Sequence, residues 1–334
     1  MEKLPDYGSL AQKQAVVLAN RDLLNRVHQL VHLPAQANHL EYRLGDPTVD
    51  GYWAIGRLIA AEVKLLEQRR QYRQALHASI DGLVFFEKIL QGGTFLHLTY
   101  NITGINTICD VMPSSIPYLD IQSLQEGVKR MEHLLANEYP LHSLLAQDLH
   151  TSLIGWQRTV RGLAQRGFRL DFPRSSLEKE MLFMPKAPIT QAALQYAEQW
   201  LSQVKKPFVQ IQVVDYPQPL RNLPPGLVLR EPADIFAQIA RYLHVRARLR
   251  LLYIALQLEL YRRTHGRYPS GLESLGASPY FVDPFSGKPF VYRAARSRYV
   301  LYSVGPNGVD DGGVPLSPHA DPRKRAGDIL LVVP

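Results

Sequence analysis

Apolar residues recur at helical spacing through the first half of the chain, and the breaks between the runs mark where each helix stops. Ser9 stands as an N-cap before a helix whose buried side carries Leu10, Ala15, Val16, Leu23, Leu24, Val27 and Leu30. Pro34 and then Gly45-Asp46-Pro47 end that run, since proline supplies no backbone donor. Trp53 to about Leu66 and Tyr72 to Leu90 follow as amphipathic helices, and Gly92-Gly93 provides a stop. The stretch 94–111 is almost uncharged (Phe95, Leu96, Leu98, Ile102, Ile105, Ile108), which predicts a buried central helix closed by Pro113 and Pro117. Asp120 caps a further helix to about 137, with Leu124, Val128, Met131 and Leu135 as its stripe. Another helix spans 141–165 beyond Tyr139-Pro140. Short connections predict antiparallel packing in a bundle or an irregular helical array, and no fixed period marks a true repeat.

From 168 to 232 the pattern weakens. A helix near 190–204 carries Ala193, Tyr196, Ala197, Trp200 and Leu201, and prolines crowd both flanks. The Pro-rich segment at about 205–231 reads as an extended, surface-hugging connection. A long helix then starts at Pro232-Ala233-Asp234 and runs to about His265, where Gly266 ends it and Tyr268-Pro269 fixes the exit. It is apolar over more than one face (Leu249, Leu252, Tyr253, Ile254, Leu256, Leu260), and Arg241, Arg246, Arg248 and Arg250 near its start read as a solvated basic face. A short helix at 270–276 capped by Ser270, strands near 289–293 and 298–303, a Gly/Asp loop at 304–328 and a last strand Ile329–Val333 complete the chain. The predicted class is α+β, predominantly α: a helical domain 1–231, then a module 232–334 built from a long helix and a small antiparallel sheet.

Composition narrows the classes. Apolar content of 46% with 20% charged residues is that of a globular chain. The net charge of +8 is spread along the sequence without a polybasic tract, so nucleic acid is not an expected partner. A lone cysteine, Cys109, excludes an intramolecular disulfide and a multi-cysteine zinc site, and its apolar neighbours predict a buried structural thiol. The opening Met-Glu-Lys-Leu-Pro-Asp-Tyr has neither the basic start nor the apolar stretch of a signal peptide, and no apolar run is long enough to span a bilayer.

The richest chemistry lies in the last seventy residues: Leu-Glu-Leu-Tyr (258–261), Gly-Arg-Tyr-Pro (266–269), Val-Asp-Pro-Phe-Ser-Gly-Lys-Pro-Phe-Val-Tyr (282–292), Tyr-Val-Leu-Tyr-Ser-Val-Gly-Pro-Asn-Gly (299–308) and Gly-Asp-Ile (327–329). Their order and spacing resemble the C-terminal half of type II secretion major pseudopilins, in the type IV pilin-like superfamily, over about 240–334. The resemblance implies a long helix leading into an antiparallel sheet, and a loop near the C-terminus folded around calcium. Matched onto this sequence, it places calcium ligands at Asn307, where the family has Asp, and at Asp328, with Asp310 or Asp311 between them. The backbone carbonyls of Val304 and Val309 would complete the set, since calcium takes six to eight oxygens from a flexible loop. An insertion at 315–325 lengthens the loop, and Lys324 with its two flanking arginines would oppose a cation if folded inward. Asp283-Pro284-Phe285 reads as a turn in which Asp bonds its own downstream backbone, and it is assigned no ligand. The helical region 1–231 also resembles the helical part of uncharacterised bacterial envelope proteins that carry such a tail. Together these imply a periplasmic or extracytoplasmic location, anchored to the membrane by a segment absent from this chain.

Enzyme signals are sparse. His28 and His32 share a helical face, but Gln29 stands where a metalloprotease helix has Glu. Asp148 and His150 lack a Gly-x-Ser-x-Gly partner, no nucleotide-binding glycine motif occurs, and Trp53, Trp156 and Trp200 read as core. No catalytic residue is assigned. The expected function is a non-catalytic structural or interaction protein of the cell envelope, linked to a secretion or pilus-type system, with a protein partner and with self-association open to it. The alternative is an envelope enzyme or ligand-binding protein with a pocket near His28, His32 and His97.

Overall fold

The computed structural model describes residues 9–33, 48–165, 186–221, 230–295, 298–319 and 321–333; the side chains of 48–50, 156–165 and 186 lie outside that description. The architecture is α+β and predominantly α, with a small antiparallel sheet at the C-terminal end. Helices α1 (Leu10–Ala19), α2 (Arg21–Leu30), α3 (Thr48–Gln68), α4 (Tyr72–Leu90) and α5 (Phe95–Val111) come first. A 3₁₀ segment, Met112–Tyr118, joins α5 to α6 (Ile121–Ala136) and α7 (Leu141–Gln165). Helix α8 (Lys186–Gln203) and a helical turn at Gln218–Arg221 precede the long helix α9 (Pro232–His265).

The predicted caps form. Ser9 and Gln12 make a reciprocal capping box, and Asp120 accepts from the Ser123 amide. Gly266, at φ +74°, ends α9 in left-handed backbone, which glycine adopts without a Cβ penalty. The single first helix predicted from Ser9 to Leu30 is instead two. Asn20 leaves helical geometry (φ −115°, ψ 20°), and its side-chain amide donates to the Val16 carbonyl. The prolines after α5 do not stop the chain turning; they carry it through a 3₁₀ segment, with Pro113 at its start. The Pro34–Pro47 breaks fall outside the described residues.

Helix α5 is the hub. It packs on α3, α4 and α9, and eleven of its residues are buried, as its lack of charge predicts. Gly104 of α5 meets Gly56 of α3: a Cβ built on Gly56 would lie 3.2 Å from the Gly104 Cα, and one on Gly104 would run into the Phe86 ring. Helix α9 is buried on more than one side, against α5 and α6 and against the sheet. The sheet has the order β1-β2-β3, with β1 (Val291–Ala294) antiparallel to β2 (Tyr299–Ser303) in the register Tyr292↔Leu301. Strand β3, Ile329–Leu330, pairs with Ser303 and Tyr302 and is shorter than the predicted 329–333.

Three other expectations change. The connection 205–231 does not merely hug the surface. Phe208 is fully buried, stacked on Phe236 of α9 at 4.8 Å and edge-on to Phe285 at 5.4 Å, so it wedges between helix and sheet module. The turn predicted at 270–276 is a 3₁₀ helix, Leu272–Leu275, whose N-cap position is Gly271 and not Ser270. The arginines of α9 are not a solvated face, Arg241 excepted. Arg246 is 1% exposed, bonds Glu87 of α4 at 2.7 Å, and stacks on Tyr242 at 4.5 Å. Arg248 reaches Asp110 and Asn106 of α5, and Arg250 donates to the Val282 carbonyl. Periodicity gave no warning of this, because a guanidinium goes inside only where a carboxylate on another element meets it. Among the tryptophans, Trp200 is fully buried while Trp53 is 47% exposed.

Candidate functional site: the glycine–aspartate turn

Asp283 builds the base of the turn. Its Oδ1 accepts from the Phe285 amide at 2.9 Å, the downstream bond expected of the Asp-Pro turn, and its Oδ2 accepts from the Val304 amide at 3.0 Å. One buried carboxylate thus ties the turn before β1 to the end of β2. Burial pushes it upward from the ordinary carboxylate range, and its backbone hydrogen bonds oppose that rise.

The loop closes on Asp328, which is 1% exposed. Its Oδ2 accepts from the Gly313 amide at 2.7 Å and its Oδ1 from the Asp311 amide at 3.3 Å. Asp311 reciprocates: its Oδ2 accepts from the Gly327 amide at 2.6 Å and from the Asn307 side-chain amide at 2.9 Å. Gly327 is obligatory in this arrangement. Its φ is +103°, and a Cβ there would enter the backbone of Pro315 and Leu316. Asn307 Oδ1 takes the Val309 amide, whereas the Val304 amide donates to Asp283.

The structure therefore brings Asn307, Asp311 and Asp328 together and turns Asp310 elsewhere. Asp310 accepts from the Tyr302 hydroxyl at 2.6 Å and from Arg293 at 3.2 Å. The donor types suit calcium, with two carboxylates and an amide oxygen sharing one glycine-rich turn. As placed, each already serves an N–H donor, and among the described residues no three His, Cys, Asp or Glu side chains group as a metal site. Arg323 and Arg325 of the insertion do not fold over the carboxylates. Arg323 lies over the Phe236 ring at 4.5 Å, and Arg325 donates to the His319 carbonyl at 2.7 Å.

The helical half holds the residues weighed for catalysis. His28 on α2 is clasped by Asp81 of α4 at 2.8 Å and Glu62 of α3 at 3.0 Å, and Arg130 of α6 also pairs with Asp81. These two carboxylates raise His28 to about 9, Asp81 foremost, so it is an imidazolium at neutral pH. A shallow hollow of about 720 Å³ opens beside it, lined also by His77, Arg73 and Gln74. His32 lies exposed past the end of α2, and His97 serves elsewhere, its Nδ1 accepting from the Thr94 amide at 3.0 Å to cap α5. His28 and His97 thus make their hydrogen bonds on different helices. Asp148 is structural too: Oδ1 takes the Phe95 amide at 2.9 Å, an orphan donor of the first turn of α5, and Oδ2 pairs with Arg230 at 2.7 Å. His150 is exposed. Cys109 is buried, and burial pushes its thiol up to about 11, so it is no nucleophile at neutral pH.

Sequence reasoning missed the His28 clasp and the Arg246–Glu87 pair, since each joins residues from separate helices. Comparisons with protein-family models, with curated proteins and with solved structures find no match to this chain. Among the described residues, no helix is long and apolar enough to cross a membrane.

Proposed function

We propose that this chain is a non-catalytic structural or interaction protein of the bacterial cell envelope, with a pseudopilin-like C-terminal module that docks to a secretion or pilus-type assembly. One observation carries the reading: α9, the Asp283 turn, the antiparallel pair β1–β2 and a turn closed by Asp328 follow one another in the order that the family resemblance implies. The candidate catalytic side chains give it indirect support. His28 and Asp148 are engaged by partners on other elements, and His97 caps the start of its own helix. The rival reading, a ligand-binding or enzymatic pocket, has the hollow beside His28 as its best ground, and there the imidazolium already has two carboxylates.

In this reading the module works as a borrowed docking piece. A pseudopilin filament uses its long helix for subunit contacts, and here α5 and α6 cover α9. The chain then recognises a protein partner without polymerising along that helix. Calcium is the ion the reading places at the turn, with Asp311, Asp328 and the Asn307 amide oxygen exchanging their N–H donors for it. Loss of one formal charge at Asn307 puts affinity in the weak extracellular range, about 10⁻⁴–10⁻³ M.

Photo-cross-linking in cells tests the function, with the cross-linker at Val314 or Val300 on the exposed side of the module and at Leu194 of α8 as control. The reading expects adducts with an envelope protein from the module positions only. Recovery in the cytoplasmic fraction with no adduct from the module would overturn it.

A further inference from the structure

A second cluster of charge lies away from the aspartate turn. A hollow of about 170 Å³ sits where α5, α9 and the 315–325 insertion meet, and its polar lining is Asn106, Arg241, His244 and Arg325. Each of these has an N–H to offer. Arg241 is exposed, and among the described residues neither Arg241 nor Arg325 forms a salt bridge. Arg325 spends its Nε on the His319 carbonyl, which leaves the guanidinium's other donors. The Asn106 oxygen is taken by Arg248 at 3.0 Å, so its amide N–H₂ remains. No carboxylate lines the space; the acid that acts on Arg325 is Asp321.

Like charges are not brought together without cost. Burial first and then Arg241 lower Arg325, and burial with Arg248 and Arg325 pushes His244 down to about 3, so it is neutral and keeps one N–H. The remaining wall is apolar apart from backbone: Ile102, Ala240, Phe285, Pro306 and Leu316.

We propose that this hollow binds a small tetrahedral oxyanion of the inorganic phosphate class, held by Arg241 and Arg325 with N–H groups of Asn106 and His244. Its size excludes larger ligands, because pockets for drug-sized molecules run to roughly 300–1,000 Å³. Paired guanidinia suit a tetrahedral oxyanion better than a halide, since their forked donors match its oxygens. The anion would bridge α9 to the insertion, giving the basic 315–325 segment a role that the calcium turn does not. The proposal is independent of the docking function and of calcium.

The test is titration of the whole chain with inorganic phosphate by isothermal calorimetry and thermal unfolding, against sodium chloride at equal ionic strength and against acetate. Phosphate stabilises many proteins by exclusion from their surface, so saturation is the decisive feature. The expected result is saturable phosphate binding, weakened at least ten-fold by Arg241→Gln and by Arg325→Gln and unchanged by Arg267→Gln on the exposed turn after α9. Saturable acetate binding of equal strength would reassign the site to carboxylates and overturn the phosphate class. Curves that match chloride, or a linear rise identical in wild type and Arg241→Gln, would sink the site itself. Arg241 is exposed, so its substitution leaves the fold intact even if Arg325→Gln does not.

Discussion

His28 makes the sharpest case at the scale of the residue. Its two nitrogens face acids on two different helices, so the charged imidazolium fastens α2 to α3 and α4 at once. Because folding raises its pKa from the ordinary 6.5 to about 9, the clasp stabilises fully below pH 6.5 and is lost as pH rises through 9. The side chain is 25% exposed, so solvent screening reduces its worth to about 1–2 kcal/mol. His28→Gln should lower the unfolding midpoint at pH 6.5, and the gap from wild type should close by pH 10. A gap that stays constant across that range would show that the imidazolium charge contributes nothing. Cys109 keeps its proton in the fold through the same range but loses it in the unfolded chain near 9, so it lowers the stability of wild type and His28→Gln alike above that pH and leaves the gap between them unchanged.

Elements meet through small residues and through turns. The Gly56–Gly104 contact lets α3 and α5 approach closely over the Phe86 ring. Gly104→Ala should therefore destabilise by about 1–3 kcal/mol despite alanine's better helix propensity, because overpacking outweighs it. Denaturant melts read this directly, and a stabilised variant would refute the close approach. The aspartate turn tests differently. Millimolar calcium should raise the thermal midpoint relative to chelator, and Asp328→Ala should both lower the midpoint and abolish the rise. If calcium has no effect on wild type, the turn is closed by its N–H bonds to Asp311 and Asp328 alone. Much of this level was legible in advance: the caps at Ser9 and Asp120, the stops at Gly92 and Gly266 and the Asp283 turn all follow from residues within four positions of one another. The break at Asn20 was not, since nothing within 9–30 interrupts the apolar pattern that predicts one helix.

At the scale of the whole molecule, the buried pair Arg246–Glu87 joins α9 to the helical body, with the Asn101 amide also donating to Glu87 at 3.1 Å and Glu138 lying 3.7 Å from the guanidinium. Removing only the arginine leaves Glu87 uncompensated. Arg246→Met should cost about 3–5 kcal/mol, and adding Glu87→Gln or Glu87→Leu should restore much of that loss, as buried pairs replaced together often are neutral. If the double variant is no more stable than the single, the cost lies in packing on Tyr242 and not in the lone charge. A single apolar cluster runs from Leu24 and Val27 of α2 to Ile329 and Leu331 at the far end, so the stability of α9 reports on both.

By itself the sequence determined the class, the position of nearly every described helix, the buried character of 94–111 and the order of the C-terminal sheet and turn. Those rest on periodicity, caps and glycines, which act over a few residues. Only the tertiary structure decided which charges go inside, which of the acids in 304–328 converge, and that Arg241 and Arg325 share a wall. The physical reason is common to all three. A charge settles by what surrounds it: the partners of His28 and Arg246 come from helices tens of residues away, and the hollow that Arg325 lines is completed by residues of α5 and α9.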